Sequence, residues 1–215
     1  MMAIQDRVRQ LRENARYETE TVHAILDAGL TAHVGFVEDG QPYVIPMLYA
    51  REGNHLYLHG ARKARIIRLL ASGAPVCANV TLLDAVVAAR STFNSSMNYR
   101  SVSVYGTGRL LEDREEVLAA LRSLSEHVFP GRWDELRDPH ESEIRQTGVI
   151  ALAIETASAK VASGPPEDEE EDYAARVWAG VVPVTTTLGE PVADERLPAG
   201  TALSPAIAAL VGRRL

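Results

Sequence analysis

The chain has 215 residues, 46% hydrophobic and 24% charged, enough for one generous domain to bury a core without disulfides or structural metal. Its formal net charge of −7 argues against a general nucleic-acid binder, which needs a basic face, but leaves room for a local pocket holding one phosphate. Cys77 is the single cysteine, which excludes an internal disulfide and a cysteine-rich metal cluster and points to a reducing compartment.

Residues 1–18 are polar and are expected to form a loose arm with no apolar signal core. No apolar stretch reaches the length of a membrane span, so a cytoplasmic protein without a membrane partner is expected. Val22, Ile25 and Leu26 repeat at helical spacing over residues 19–28, with Gly29 placed to end the helix. Residues 31–37 then read as a strand, Asp39-Gly40 as a hairpin tip and residues 41–51 as the returning strand. Pro42 and Pro46 within it imply an edge, a bulge or an irregular ladder. Residues 55–59 alternate as a third strand that Gly60 breaks, and residues 63–71 read as a helix. Residues 76–89 are apolar, interrupted near Leu83-Asp84, and Cys77 reads there as a small buried hydrophobe.

Residues 98–111 read as a long strand that Gly106 and Gly108 bend or bulge. Asp113 and Glu116 form a capping-box pattern before a helix over residues 117–128. Residues 133–146 read as a polar helical connector. Residues 148–154 read as a strand, with residues 157–161 as its extension. The acidic run 167–172 reads as solvated loop, residues 178–184 as a last apolar stretch, and the tail after Leu188 is rich in Pro and Ala with a short helix near 205–211. The organisation expected is an arm (1–18), one domain (19–188) and a tail (189–215). Many strands joined by hairpins, with few helices, predict a mainly β (β+α) fold: an antiparallel barrel with helices outside it.

The sharpest local feature is His59-Gly60-Ala61-Arg62-Lys63-Ala64, where a strand ends and two adjacent cations precede a helix. Arg62 can fork to phosphate oxygens and Lys63 adds a compact charge. A solvated basic helix start has the same appearance. His55 and His59 would lie about 13 Å apart along one strand face, too far for joint metal ligation. No metal site is expected. Gly106-Thr107-Gly108 does not complete a dinucleotide fingerprint, because Leu111 stands at its sixth position.

Four segments, in order, carry a likeness to a known family: Pro42-Tyr43-Val44-Ile45-Pro46-Met47, Ala61-Arg62-Lys63-Ala64, Asn98-Tyr99-Arg100-Ser101, and Trp178-Ala179-Gly180. Together they resemble the pyridoxamine 5′-phosphate oxidase family, nearest the flavin-nucleotide-binding branch that includes nitroimidazole-resistance reductases. The resemblance implies an antiparallel split β-barrel of Greek-key type, a homodimer, and FMN at its interface. It implies that Arg62 and Lys63 hold the FMN phosphate and that Val44, Ile45, Pro46 and Met47 offer main-chain groups to the flavin ring. By the same likeness His59, Gly60 and Ala61 line the ring and ribityl chain, Ser101 lies near the flavin, and Trp178 packs on it from the partner chain. His59 is the one candidate for a catalytic role, polarising a bound substrate; a strand-end histidine with backbone partners is the alternative.

The function expected is an FMN-dependent oxidoreductase, reduced by NAD(P)H or another donor and reducing a small acceptor such as a nitroaromatic or quinone. The alternatives are a flavin-binding module without turnover, a pyridoxamine-phosphate-oxidase-like enzyme, and a split barrel that binds haem or a deazaflavin. Valine stands after Trp178-Ala179-Gly180 where the oxidase's substrate-phosphate arginine would be expected, which counts against oxidase activity.

Overall fold

A two-residue turn sets the register of the first hairpin. In the computed structural model, which describes residues 6–215, Asp39 and Gly40 both take positive φ (51° and 78°) and join β2 (Thr31–Glu38) to β3 (Gln41–Glu52). These are the dihedral signs of a type I′ hairpin, and the glycine adopts them without strain. From that turn the ladder runs in register, from Glu38↔Gln41 to Thr31↔Leu48.

The other strands are β1 (Ala15–Arg16), β4 (His55–Ala61), β5 (Pro75–Ala88), β6 (Ser96–Leu110), β7 (Thr147–Ala153), β8 (Thr156–Ala162) and β9 (Gly180–Pro183). Antiparallel pairings β2–β3, β3–β4, β4–β7, β7–β6, β6–β5 and β5–β2 close a ring of strands. Beyond the ring, β8 extends the sheet on β6, β1 lies on β8, and β9 lies on the far end of β5. The mainly antiparallel β fold with flanking helices is the one expected.

Strand alternation fills the ring. Val34, Phe36, Tyr49, Leu56, Leu58, Val80, Val102, Val104, Ile150 and Leu152 all point inward and are buried. Helix α1 (Thr19–Ala28) lays Val22, Ile25 and Leu26 on this core, and the buried Tyr49 hydroxyl donates to the Leu26 carbonyl at its end. Each such apolar side chain contributes about 1.5–3 kcal/mol relative to exposure. Helices α2 (Arg65–Ala71), α3 (Arg114–Val128), α4 (Glu141–Gln146) and α5 (Pro205–Ala208) flank the sheet.

Several boundaries differ from the sequence reading. Of the arm expected over residues 1–18, residues 1–5 lie outside the described residues, and its end is β1, paired with Lys160 and Ala159. Gly60 does not break β4 but sits inside it, opposite Gly148. Residues 157–161 do not extend β7; after a turn they form β8, which pairs with β6. Gly106 and Gly108 mark no bulge. A Cβ at Gly106 would lie 1.9 Å from the Ala153 carbonyl oxygen, so the glycine makes room for the β7–β8 turn, where β6 leaves β8 for β7. The irregularity in this pair of strands lies on β5, between Leu83 and Ala85. The connector 133–146 is broken into a 3₁₀ turn at Trp133–Glu135 and α4. The acidic run is not wholly solvated: the Asp168 carboxylate is fully buried, bonded to the Arg90 main-chain N–H (2.7 Å) and guanidinium (2.9 Å). Cys77 lies half-buried beside Ser103 and Tyr105, on the face of β5 turned away from the core, with burial raising its thiol pKa.

Candidate functional site

β3 changes partners midway. Residues 41–48 pair with β2, and residues 49–52 pair with β4. Over residues 41–48 no strand takes the other edge among the described residues. In a two-residue hairpin the positions flanking the turn form a hydrogen-bonded pair, and hydrogen-bonded and non-bonded pairs alternate from there. Gln41, Tyr43, Ile45 and Met47 therefore bond to β2, while Pro42, Val44, Pro46 and Leu48 turn their main-chain groups to the open edge. The two prolines fall where a missing N–H breaks no ladder bond, which is how the strand carries them. Of the four positions the likeness assigned to the flavin ring, Val44 and Pro46 present main-chain groups outward, whereas Ile45 and Met47 are committed to β2, with the Met47 side chain in the core.

Beside this edge stands the cationic turn. β4 ends at Ala61; Arg62 and Lys63 occupy the turn, and Ala64 is the N-cap of α2, so the two cations precede the helix rather than open it. The turn is fixed by Arg62 N–H donating to the Gln146 carbonyl and Ala64 N–H to the Ala61 carbonyl, both at 2.8 Å. Gly148 lies beneath it: a Cβ there would come within 2.4 Å of Ile67 Cγ2 and 3.3 Å of Arg62 Cα. Its place directly before an apolar strand was the available signal for this role. Arg65 ties the turn to β3, with Nε 3.6 Å from Glu38 and its guanidinium 3.9 Å from the Tyr43 ring centroid. Arg62 and Lys63 are exposed, and among the described residues neither forms an ion pair.

The outward face of β2, β5 and β6 carries a polar network. Asn79 Nδ2 donates to Ser101 Oγ (3.2 Å), Ser103 Oγ (3.1 Å) and the Val102 carbonyl (3.1 Å), and the Thr81 hydroxyl lies 2.9 Å from Ser101 Oγ. Ser101 therefore belongs to this face, with His33 opposite Asn79. Exposed apolar side chains surround the network, including Val44, Leu83, Val86 and Met97. Trp178 is 67% exposed, with its ring over Gly180 at the start of β9. β2 and β5 stand between β9 and β3, about 14 Å at ordinary strand spacing. A single chain does not bring Trp178 to the open edge.

On the outer side of β3 and β4 an apolar groove of about 590 Å³ lies under α3 and the C-terminal tail. His59, open to solvent on one side and crowded by the groove on the other, projects into it; burial lowers its pKa. The groove exists because Asp113 caps α3, accepting from the Glu115 and Glu116 N–H groups at 3.0 Å, and α3 then lays Leu121, Leu124 and Val128 over the sheet. The tail closes the far side. Ser204 caps α5, Arg132 Nη1 bonds Ser204 (3.1 Å), and the Ala206 N–H donates to Glu135. The sequence signal for this was Ser204-Pro205, a cap followed by proline at the first helical position. No cluster of three metal-ligating side chains occurs among the described residues, and no helix there is long and apolar enough to cross a membrane.

The family model described as pyridoxamine 5′-phosphate oxidase matches residues 18–161. Among solved structures, the flavocytochrome Anf3 of Azotobacter vinelandii is 39% identical, covering 98% of both chains with a TM-score of 0.91. A FAD and haem binding protein of Mycobacterium smegmatis is 39% identical over 93% of this chain and 98% of that one, with a TM-score of 0.89. A Bacteroides thetaiotaomicron protein described for 5-nitroimidazole antibiotic resistance shares the fold at 22% identity, covering 72% of this chain and 95% of that one, with a TM-score of 0.58. No match is found among curated proteins.

Proposed function

The chain belongs to the pyridoxamine 5′-phosphate oxidase family, and from that premise we propose that it is a flavin- and haem-binding redox protein, acting as a homodimer. The observation that carries the flavin reading is an open strand edge beside a turn with two cations that form no ion pair among the described residues, joined to it by the Arg65 contacts. The edge at Val44 offers an N–H and a carbonyl to the rim of a planar heterocycle. Arg62 and Lys63 offer charge to a phosphate on the attached chain. When bound, flavin supplies the redox chemistry, and the protein supplies position and electrostatics.

FMN and FAD carry the same phosphate on the ribityl chain, so the turn serves either. FMN is the simpler ligand for the edge and turn; the FAD named for the 39%-identical Mycobacterium smegmatis relative makes the dinucleotide the first to test. Haem enters on the same ground, since both full-length relatives are described by it or as a flavocytochrome. Supporting the homodimer are the exposed apolar residues of the outward face and the position of Trp178, which would meet the edge only from a second chain. Electrons would enter from NAD(P)H or another donor and leave to a small acceptor, a nitroaromatic or quinone among the candidates.

The test is an absorbance spectrum of the purified protein with the released ligands identified by mass. Flavin and Soret bands with FAD or FMN and haem masses are expected. A protein that stays colourless and retains none of the three when they are added refutes the reading.

A further inference from the structure

We propose that the groove between α3 and the outer side of β3 and β4 is a haem pocket, with His59 as the axial ligand and Arg132 as the partner of a propionate. This rests on the haem reading above. Among the residues lining the groove, His59 is the one whose side chain is an established ligand of haem iron.

The rest of the groove fits a flat apolar macrocycle with carboxylates on one edge. Leu121, Leu124, Val128 and Leu136 wall one side, Leu48 the sheet side, and Ile207 of the tail the far end. The volume of about 590 Å³ lies in the range of roughly 300–1,000 Å³ typical of cofactor sites. Arg132 stands among these walls. Its Nη1 is taken by Glu135 (2.7 Å) and Ser204 (3.1 Å), while Nε and Nη2 have no hydrogen-bond partner among the described residues. That leaves a planar fork for a carboxylate.

The groove is also placed where this chain exceeds its family. Ile207 lies outside residues 18–161, the span shared with the oxidase family, yet the flavocytochrome relative covers 98% of the chain. Leu48 ends the open edge of β3 and lines the groove as well, so a flavin at the edge and a haem in the groove would be neighbours.

The experiment titrates full-length protein, with its flavin retained, with hemin. The readouts are the Soret band, the EPR spectrum and the flavin absorbance. Wild type should bind one haem per chain. Because loss of a group that only orients a metal ligand already costs about 10–100-fold in metal affinity, His59→Ala should bind roughly 100-fold or more weakly, with an altered EPR spectrum that added imidazole restores. Retained flavin absorbance shows that a variant still folds. A second variant, Leu136→Glu, leaves His59 in place and fills the groove with charge; it should lose haem too.

Haem bound by His59→Ala with the wild-type Soret band and EPR spectrum would overturn the assignment while leaving the haem reading intact. Haem uptake by Leu136→Glu equal to wild type would place haem outside the groove. A wild type that keeps flavin but takes up no haem would overturn both, and would leave the groove to a second copy or a partner helix.

Discussion

Replacing Arg62 and Lys63 together with alanine isolates the phosphate from the rest of the flavin. Neither side chain supports the fold: both are exposed, neither has an ion-pair partner among the described residues, and the turn is held by main-chain bonds from Arg62 and Ala64 that survive truncation to alanine. The double variant should therefore melt within about 1 °C of wild type, as surface changes usually shift stability by less than 0.5 kcal/mol. For binding, a charge-assisted hydrogen bond is worth about 1.5–3 kcal/mol, and the lower end suits a turn open to water. Two such bonds make about 3 kcal/mol, on the order of 100-fold in Kd for FAD or FMN. Riboflavin, which lacks the phosphate, should bind both proteins equally. The wild-type affinity for FMN should weaken with added salt and the variant's should not. Fluorescence titration of the three ligands against both proteins decides it. Equal weakening of riboflavin and FMN would show that the turn touches the ring or shapes the site, and the phosphate assignment would fall.

Other consequences follow from particular contacts. Gly106→Ala places a methyl 1.9 Å from a main-chain oxygen, where nothing flexible can yield, and should cost more than about 3 kcal/mol in urea unfolding; Gly189→Ala, with open space around it, should cost almost nothing. If Gly106→Ala unfolds like wild type, the close approach of the β7–β8 turn is wrong. Asp168→Asn removes the charge facing the partly buried Arg90, and should lower stability by about 2 kcal/mol, or roughly 5 °C in Tm; a change under 1 °C would mean the pair contributes nothing. Val86→Glu puts a charge on the outward face beside Met97 and should give monomers with weakened flavin binding in sedimentation; an unchanged dimer would move the interface elsewhere. The Glu143 carboxyl, held down to about 2 first by Arg137 and then by the His140 N–H, has its folded-state pKa depressed. Its contact at the start of α4 should persist above pH 4.5 and be lost as pH falls through about 2, read from its own NMR titration; a midpoint near 4.5 would remove the contact.

What could be read from the sequence was local. Asp39-Gly40 between alternating strands fixed a hairpin, and the turn's parity then explains why Pro42 and Pro46 cost the ladder nothing. The segments that signalled the family fall on the open edge, the cationic turn and the outward face. The misreadings have a common cause, in that each depended on a contact between residues distant in the chain. Gly60 looked like a strand breaker but lies opposite Gly148, and Gly106 looked like a bulge but makes room for Ala153. Asp168 sat in a run that composition marks as solvated, and only the fold brings Arg90, 78 residues away, to it. The short helix near 205–211 was legible in the tail, but not that Ser204 and Ala206 dock on the Arg132–Glu135 turn and complete the groove.

The departures from the family follow one pattern. β3 borders two sites: its edge at Val44 and Pro46 faces the cationic turn, and Leu48, at the end of that same edge, faces the groove. The first is built from residues inside the span 18–161, and the second needs Ile207 and the turn that anchors the tail. A chain cut after β9 would keep the edge, the turn and Trp178, so a flavin should still bind. It would lose the far wall of the groove and the Ser204 contact of Arg132, so haem should bind weakly or not at all. Such a truncation separates the shared site from the one this chain adds. Loss of both cofactors together would mean that the tail supports the barrel itself, and retention of both would mean that haem does not need the groove.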